Sequence, residues 1–288
     1  MEKKATRIYL FWTFACAWVL QITASLLDKN GGMLFGSLLA VSMYVPLFAT
    51  WMARKSLSGM GWKPVLKRKK RYYLIAWFFP AVLGTIGAVL YYLLFSNRLD
   101  WSAPMVVAQI GAAGLDKLAE QGLNVKMLMG ISFIQAITYA PWLNMLFAVG
   151  EEAGWRGFLY PNLKASYGVN VGRVLGGVIW GVWHWPVMLL AGYEYGKDYI
   201  GAPVLGPILF CVFTVVAGII LDELYEKAES IWAPALGHGA INAFAGVTVM
   251  MLNPDYANAL ILGPSMIGVI GGLPMILAAV WICYRRKQ

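Results

Sequence analysis

The apolar run 127–149, MLMGISFIQAITYAPWLNMLFAV, passes without a break into Gly150-Glu151-Glu152-Ala153-Gly154-Trp155-Arg156. A run of that length is enough for a helix to cross a hydrocarbon core, which takes about 20 residues. Two carboxylates and a guanidinium at its end are costly at membrane depth, and such groups are read as functional once a partner is found for each. Spacing supplies one partner. Glu152 and Arg156 are four apart, acid first, on one helical face, as an intrahelical ion pair prefers. Glu151 lies about 100° further round the helix, with Trp155 as its own fourth neighbour. The spacing therefore predicts a structural ion pair, Glu152–Arg156, and leaves Glu151 free for chemistry.

The rest of the chain agrees with a membrane setting. Of 288 residues, 60% are hydrophobic and 13% charged, and the mean hydropathy is +0.64. Soluble domains carry about twice that charged fraction. The apolar segments are continuous and do not alternate, which favours helices over the strands of a barrel. Cys16, Cys211 and Cys283 lie in separate apolar runs with no metal-type spacing and read as packing residues. The net charge of +9 does not point to nucleic acid, because eight of the 23 lysines and arginines fall between Arg54 and Arg71, directly beside apolar segments. That is the pattern of a membrane loop facing anionic lipid.

The reading is an all-α, polytopic transmembrane bundle forming a single membrane-embedded domain over 1–288. Eight spans are expected, at 8–27, 33–53, 72–95, 127–149, 174–190, 204–224, 231–252 and 260–284. The segment 101–126 reads as a surface helix or lid on the outer side, and Pro161 is expected to stop the helix that follows Arg156. Eight spans put both termini on one side, which receives 18 lysines and arginines against five on the other and is therefore assigned to the cytoplasm. Asp222 and Glu223, at the end of the sixth span, read as a solvated face.

Both histidines of the chain lie inside expected spans, His184 in the fifth and His238 in the seventh. His238 and Asn242 are four apart and share a face. Glu151, His184, His238 and Asn242 could converge at one depth, and the chemistry they suit is hydrolysis. A desolvated glutamate is a stronger base, and an imidazole can share the proton of an attacking water. An amide and a second imidazole can donate to a developing oxyanion. There is no Gly-x-Ser-x-Gly, no Cys–His pair and no His-Glu-x-x-His. Glu151, His184 and His238 could still hold zinc as a carboxylate and two imidazoles, so a bare activated water and a metal-bound one both stay open.

Three motifs in order, Glu151-Glu152-x-x-x-Arg156, Trp180-x-x-x-His184 and His238-x-x-x-Asn242, make the chain resemble the CAAX protease and bacteriocin-processing (Abi or Rce1-like) family of intramembrane proteases. The resemblance covers about residues 127–245. Trp180 stands where the family usually has Phe. The resemblance implies an intramembrane endopeptidase in which Glu151 and His184 activate water while His238 and Asn242 hold the oxyanion. It implies membrane lipids and a membrane-associated peptide or protein as partners. Eukaryotic members cleave after a prenylated cysteine. Bacterial members as a rule lack such substrates and are tied to bacteriocin immunity or peptide processing. The compact chain resembles the bacterial type, which implies the bacterial plasma membrane. Two other functions compete: a transporter or channel using the same polar cluster, and an inactive immunity or scaffold protein.

Overall fold

The computed structural model describes residues 2–28 and 32–286. The turn expected at 28–32 falls largely, and Lys287 wholly, outside them. The protein is all-α. Its helices are α1 Glu2–Leu27, α2 Met33–Ser42, α3 Val45–Arg54, α4 Lys70–Leu94, α5 Pro104–Glu120, α6 Val125–Ile137 and α7 Ala140–Gly154. They continue as α8 Tyr160–Tyr167, α9 Val169–Trp183, α10 Trp185–Ala191, α11 Leu205–Ala228, α12 Trp232–Phe244 and α13 Leu273–Arg285. Large apolar side chains such as Val19, Val82, Val212 and Leu277 point outward and are more than half exposed or nearly so. That inside-out surface is the one an integral membrane protein presents to lipid.

Eight spans are not present among the described residues. Among the described residues five helical stretches are long and apolar enough to cross a membrane: Lys3–Leu27, Met33–Arg54, Lys70–Leu94, Val169–Ala191 and Leu205–Ala228. A sixth counts only if α6 and the helix after it, bent by 51°, are taken as one. The seventh and eighth expected spans fail for a common reason. Hydropathy is high across 231–284, but Gly246, Pro254, Pro264 and a run of glycines up to Gly272 break the helical hydrogen-bond ladder. What remains is α12 and α13, each 13 residues long, joined by 3-10 turns and coil. The span count that placed both termini on one side, and that side in the cytoplasm, falls with them.

Prolines set the other breaks, and they bear on the site. Pro46, Pro141 and Pro186 each stand in the first turn of a helix, where the missing N–H costs nothing. Each therefore starts a new helix where the apolar sequence alone would run on. Pro186 does so immediately after His184, which sits at the joint between α9 and α10. At Pro161 the outcome is the opposite of the expected stop. Residues Trp155–Leu159 widen into a π turn, in which the Tyr160 amide donates to the carbonyl of Trp155, and α8 continues beyond it. Such π segments occur mostly within α-helices, frequently at functional sites.

Helix α12 packs chiefly on α7 and α4, and α9 on α11. Close approach depends on small residues. A Cβ on Gly239 would lie 2.5 Å from the backbone of Pro141 and Met145, so α12 meets α7 backbone to backbone. Gly177 and Gly181 do the same for α9 on α11, the latter with Cys211 Sγ 2.6 Å from where its Cβ would be.

Candidate active site

A cavity of about 330 Å³ opens between α7, α9, α11, α12 and α2. Glu151, His184, His238 and Asn242 all line it, together with Trp180. The sequence places them there by separate routes: Glu151 on the last turn of α7, His184 at the proline break, and His238 and Asn242 one turn apart on α12. Glu151 and His238 are buried, His184 is half-buried, and Asn242 is exposed.

Glu151 is held by two indoles. Trp180 Nε1 donates to Glu151 Oε2 at 2.8 Å and Trp155 Nε1 to the same oxygen at 3.2 Å. Both hydrogen bonds fall on one oxygen, and no described side chain donates to Oε1. The carboxylate is thus oriented without being neutralised by a cation. Trp180 does more than the phenylalanine expected at its position. Its indole binds Glu151, its ring lies 4.7 Å from the Arg156 guanidinium carbon, and its centroid is 5.2 Å from that of His238.

Each histidine has one nitrogen committed. His184 Nδ1 lies 3.0 Å from the Trp180 carbonyl oxygen. A carbonyl can only accept, so Nδ1 carries the proton and Nε2 is left as the acceptor. His238 Nδ1 lies 2.8 Å from Glu152 Oε1. The Glu152–Arg156 ion pair is present at 2.8 Å, with both side chains fully buried. Spacing did not reveal that the same Glu152 oxygen also receives His238, because that partner is 86 residues away. The rings of Tyr160 and Trp180, each 4.7 Å from the Arg156 guanidinium carbon, complete its surroundings by cation–π attraction.

Asp222 and Glu223 are not a solvated face. Arg173 Nε reaches Asp222 Oδ2 at 2.6 Å, with both side chains fully buried, and Lys164 Nζ reaches Asp222 Oδ1 at 2.7 Å. Arg173, Arg285 and Arg286 all bind Glu223. Four cations from α8, α9 and the C-terminal end gather around the last two turns of α11, because carboxylates that leave water need partners.

Among the described residues no three His, Cys, Asp or Glu side chains come close enough to share an ion. Among the cavity residues that sequence reading did not single out are Asn144, Tyr193 and Glu194. Asn144 lies seven residues before Glu151, two turns back on the same face, and its isolation in an apolar run was the available signal. Tyr193 and Glu194 sit in a loop, where Glu194 reads only as one of several polar residues with Lys197 and Asp198.

Residues 133–244 match the model of the type II CAAX prenyl endopeptidase Rce1-like family. Over 114 residues the chain is 33% identical to "CAAX prenyl protease 2" of Methanococcus maripaludis. Through this core the chain is similar to the CAAX-protease (Abi/Rce1-like) family. The matched stretch is 39% of this chain and 42% of that relative, so the chain spans less than half of the curated protein it matches. It contains every residue of the three motifs and leaves α1 to α5 and α13 outside.

Proposed function

We propose that the protein is an intramembrane endopeptidase that hydrolyses a peptide bond of a membrane-associated peptide or protein. One observation carries this reading: Glu151, His184, His238 and Asn242, drawn from three parts of the chain, line a single cavity. In the proposed reaction a water sits between Glu151 Oε1 and His184 Nε2. The indoles of Trp155 and Trp180 occupy Oε2 and leave Oε1 to the water. Glu151 takes the proton as the water oxygen attacks the carbonyl carbon. The proton then passes to the leaving amine as the C–N bond breaks. His238, whose Nδ1 faces Glu152, and the Asn242 amide donate to the oxyanion. Resting in the bacterial plasma membrane is part of the same proposal and is checked by membrane fractionation.

The test is cleavage of a membrane-tethered reporter peptide by purified protein in lipid vesicles. Glu151→Gln, His184→Ala and His238→Ala should each lower the rate by about 10²-fold or more while the protein stays folded. Wild-type rates in all three would exclude the assignment. A full biological phenotype with the Glu151→Gln protein would favour an inactive binding role.

A further inference from the structure

A second cavity, of about 600 Å³, adjoins the first. The two share three wall residues, Glu194, Ala245 and Ile267. The second is lined by Met105, Val106 and Gln109 of α5 and by Val249 and Met250. Glu194 is its one formally charged lining residue, and neither cavity is lined by a lysine or arginine. Among the described residues no cation pairs with Glu194. Its neighbour is the Tyr193 hydroxyl, and burial pushes the carboxyl up to about 7.

The backbone is arranged to put a carboxylate there. Glu194 has φ 72°, in the left-handed region that residues other than glycine seldom occupy. Such conformations persist only where the surroundings over-determine them, and they cluster at functional sites. The surroundings do so here. Gly196 N donates to Gly192 O at 2.8 Å, Tyr195 N to Tyr193 O at 3.0 Å, and the Tyr195 hydroxyl to Ile267 O at 3.0 Å. Tyr193 meanwhile lies parallel to His184, with ring centroids 6.3 Å apart.

We infer that Glu194 is a specificity-determining residue: the two cavities form one substrate channel, and the carboxylate at their seam selects peptides carrying a lysine or arginine there. This rests on the endopeptidase reading above. A carboxylate shielded from water with no cation beside it is costly alone and favourable once a cation reaches it. Glu151, on the other side of the seam, adds charge of the same sign, so an acidic side chain would meet two carboxylates.

The test separates binding from cleavage. The full chain carrying Glu151→Gln, in lipid nanodiscs, is titrated with an acylated peptide bearing lysine, norleucine or glutamate at one scanned position, and binding is read by tryptophan fluorescence. At one position the lysine peptide should bind about tenfold or more tighter than its norleucine isostere, and the glutamate peptide weakest. Adding Glu194→Gln should collapse the lysine preference, and Glu194→Lys should reverse it. Equal affinity of the three peptides at every position, or no binding at all, would overturn the inference. Selective binding by this protein with no cleavage of the lysine peptide by the wild type would leave the channel standing and remove the endopeptidase reading.

Discussion

Glu152 Oε1 lies 2.8 Å from Arg156 Nη1 and also 2.8 Å from His238 Nδ1, so one carboxylate oxygen serves an ion pair on its own helix and an imidazole on another. The two duties can be separated. Glu152→Gln alone leaves the buried Arg156 without a counter-charge, and breaking such a pair costs about 3–5 kcal/mol. Low yield of folded protein is expected. In the double variant Glu152→Gln, Arg156→Met the uncompensated cation is gone, so folding should recover in size-exclusion and thermal-melt assays. Cleavage should nonetheless stay on the order of 10²-fold down or lower, because His238 Nδ1 no longer faces the carboxylate that orients its ring. Full activity in the double variant would show that Glu152 acts on the fold alone.

Trp180→Phe keeps an aromatic wall beside Arg156 and His238 and removes the 2.8 Å hydrogen bond to Glu151. Hydrogen bonds to charged groups contribute about 1.5–3 kcal/mol. The turnover rate should fall roughly tenfold or more with little change in melting temperature. Unchanged turnover would mean that Trp155 alone orients the carboxylate.

The network at the end of α11 should matter for stability and not for chemistry. Asp222→Asn leaves Arg173 and Lys164 facing a neutral amide in place of the carboxylate they reach at 2.6–2.8 Å. Destabilisation of about 3 kcal/mol or more is expected, read as a lower melting temperature in detergent. The protein that remains folded should cleave at the wild-type rate per molecule.

Glu194 gives the pH dependence its sign. Its carboxyl, ordinarily near 4.5, is pushed up to about 7 by burial. Above that value it is ionised and ready for a cation. Below it a proton must be displaced, so the preference for a lysine peptide over norleucine should be full near pH 8 and fall as pH drops through 7, by up to about tenfold per pH unit. Tyr193 and Tyr195 line the same seam, but both phenols are held above their ordinary range and do not titrate in this window. Titrations of the wild type and of Glu194→Gln, compared from pH 6 to 8, check this. The difference between the two should vanish at the acid end.

The helical membrane class was legible because continuous apolar runs such as 8–27 leave no alternative to a helix in lipid. The number of spans was not. Hydropathy averages over Gly246, Pro254 and Gly263-Pro264 and so cannot see that they cut two runs short. Helical spacing found Glu152–Arg156, since both lie on one helix, and it put His238 and Asn242 on one face. It could not find Arg173–Asp222, whose partners are 49 residues apart, and so left two buried acids to the solvent. Glu194 was hidden for another reason. A loop residue gains meaning from the walls that meet around it, and a single sequence does not display them.

The two buried ion clusters place different demands on the chain as it enters the bilayer. Arg156 leaves the ribosome with Glu152 one turn away, so α7 can partition into lipid already neutralised. Arg173 and Asp222 belong to different helices, α9 and α11. Each would enter hydrocarbon as a bare charge if its helix went in alone. The favourable route is for α9 and α11 to insert as a pair, their glycine-lined contact and their ion pair closing together. Biogenesis of this protein is therefore a matter of timing across those 49 residues. Residues inserted after Lys197, beyond the cavity residues Tyr193, Glu194 and Tyr195, would lengthen the connection between α10 and α11 and delay insertion.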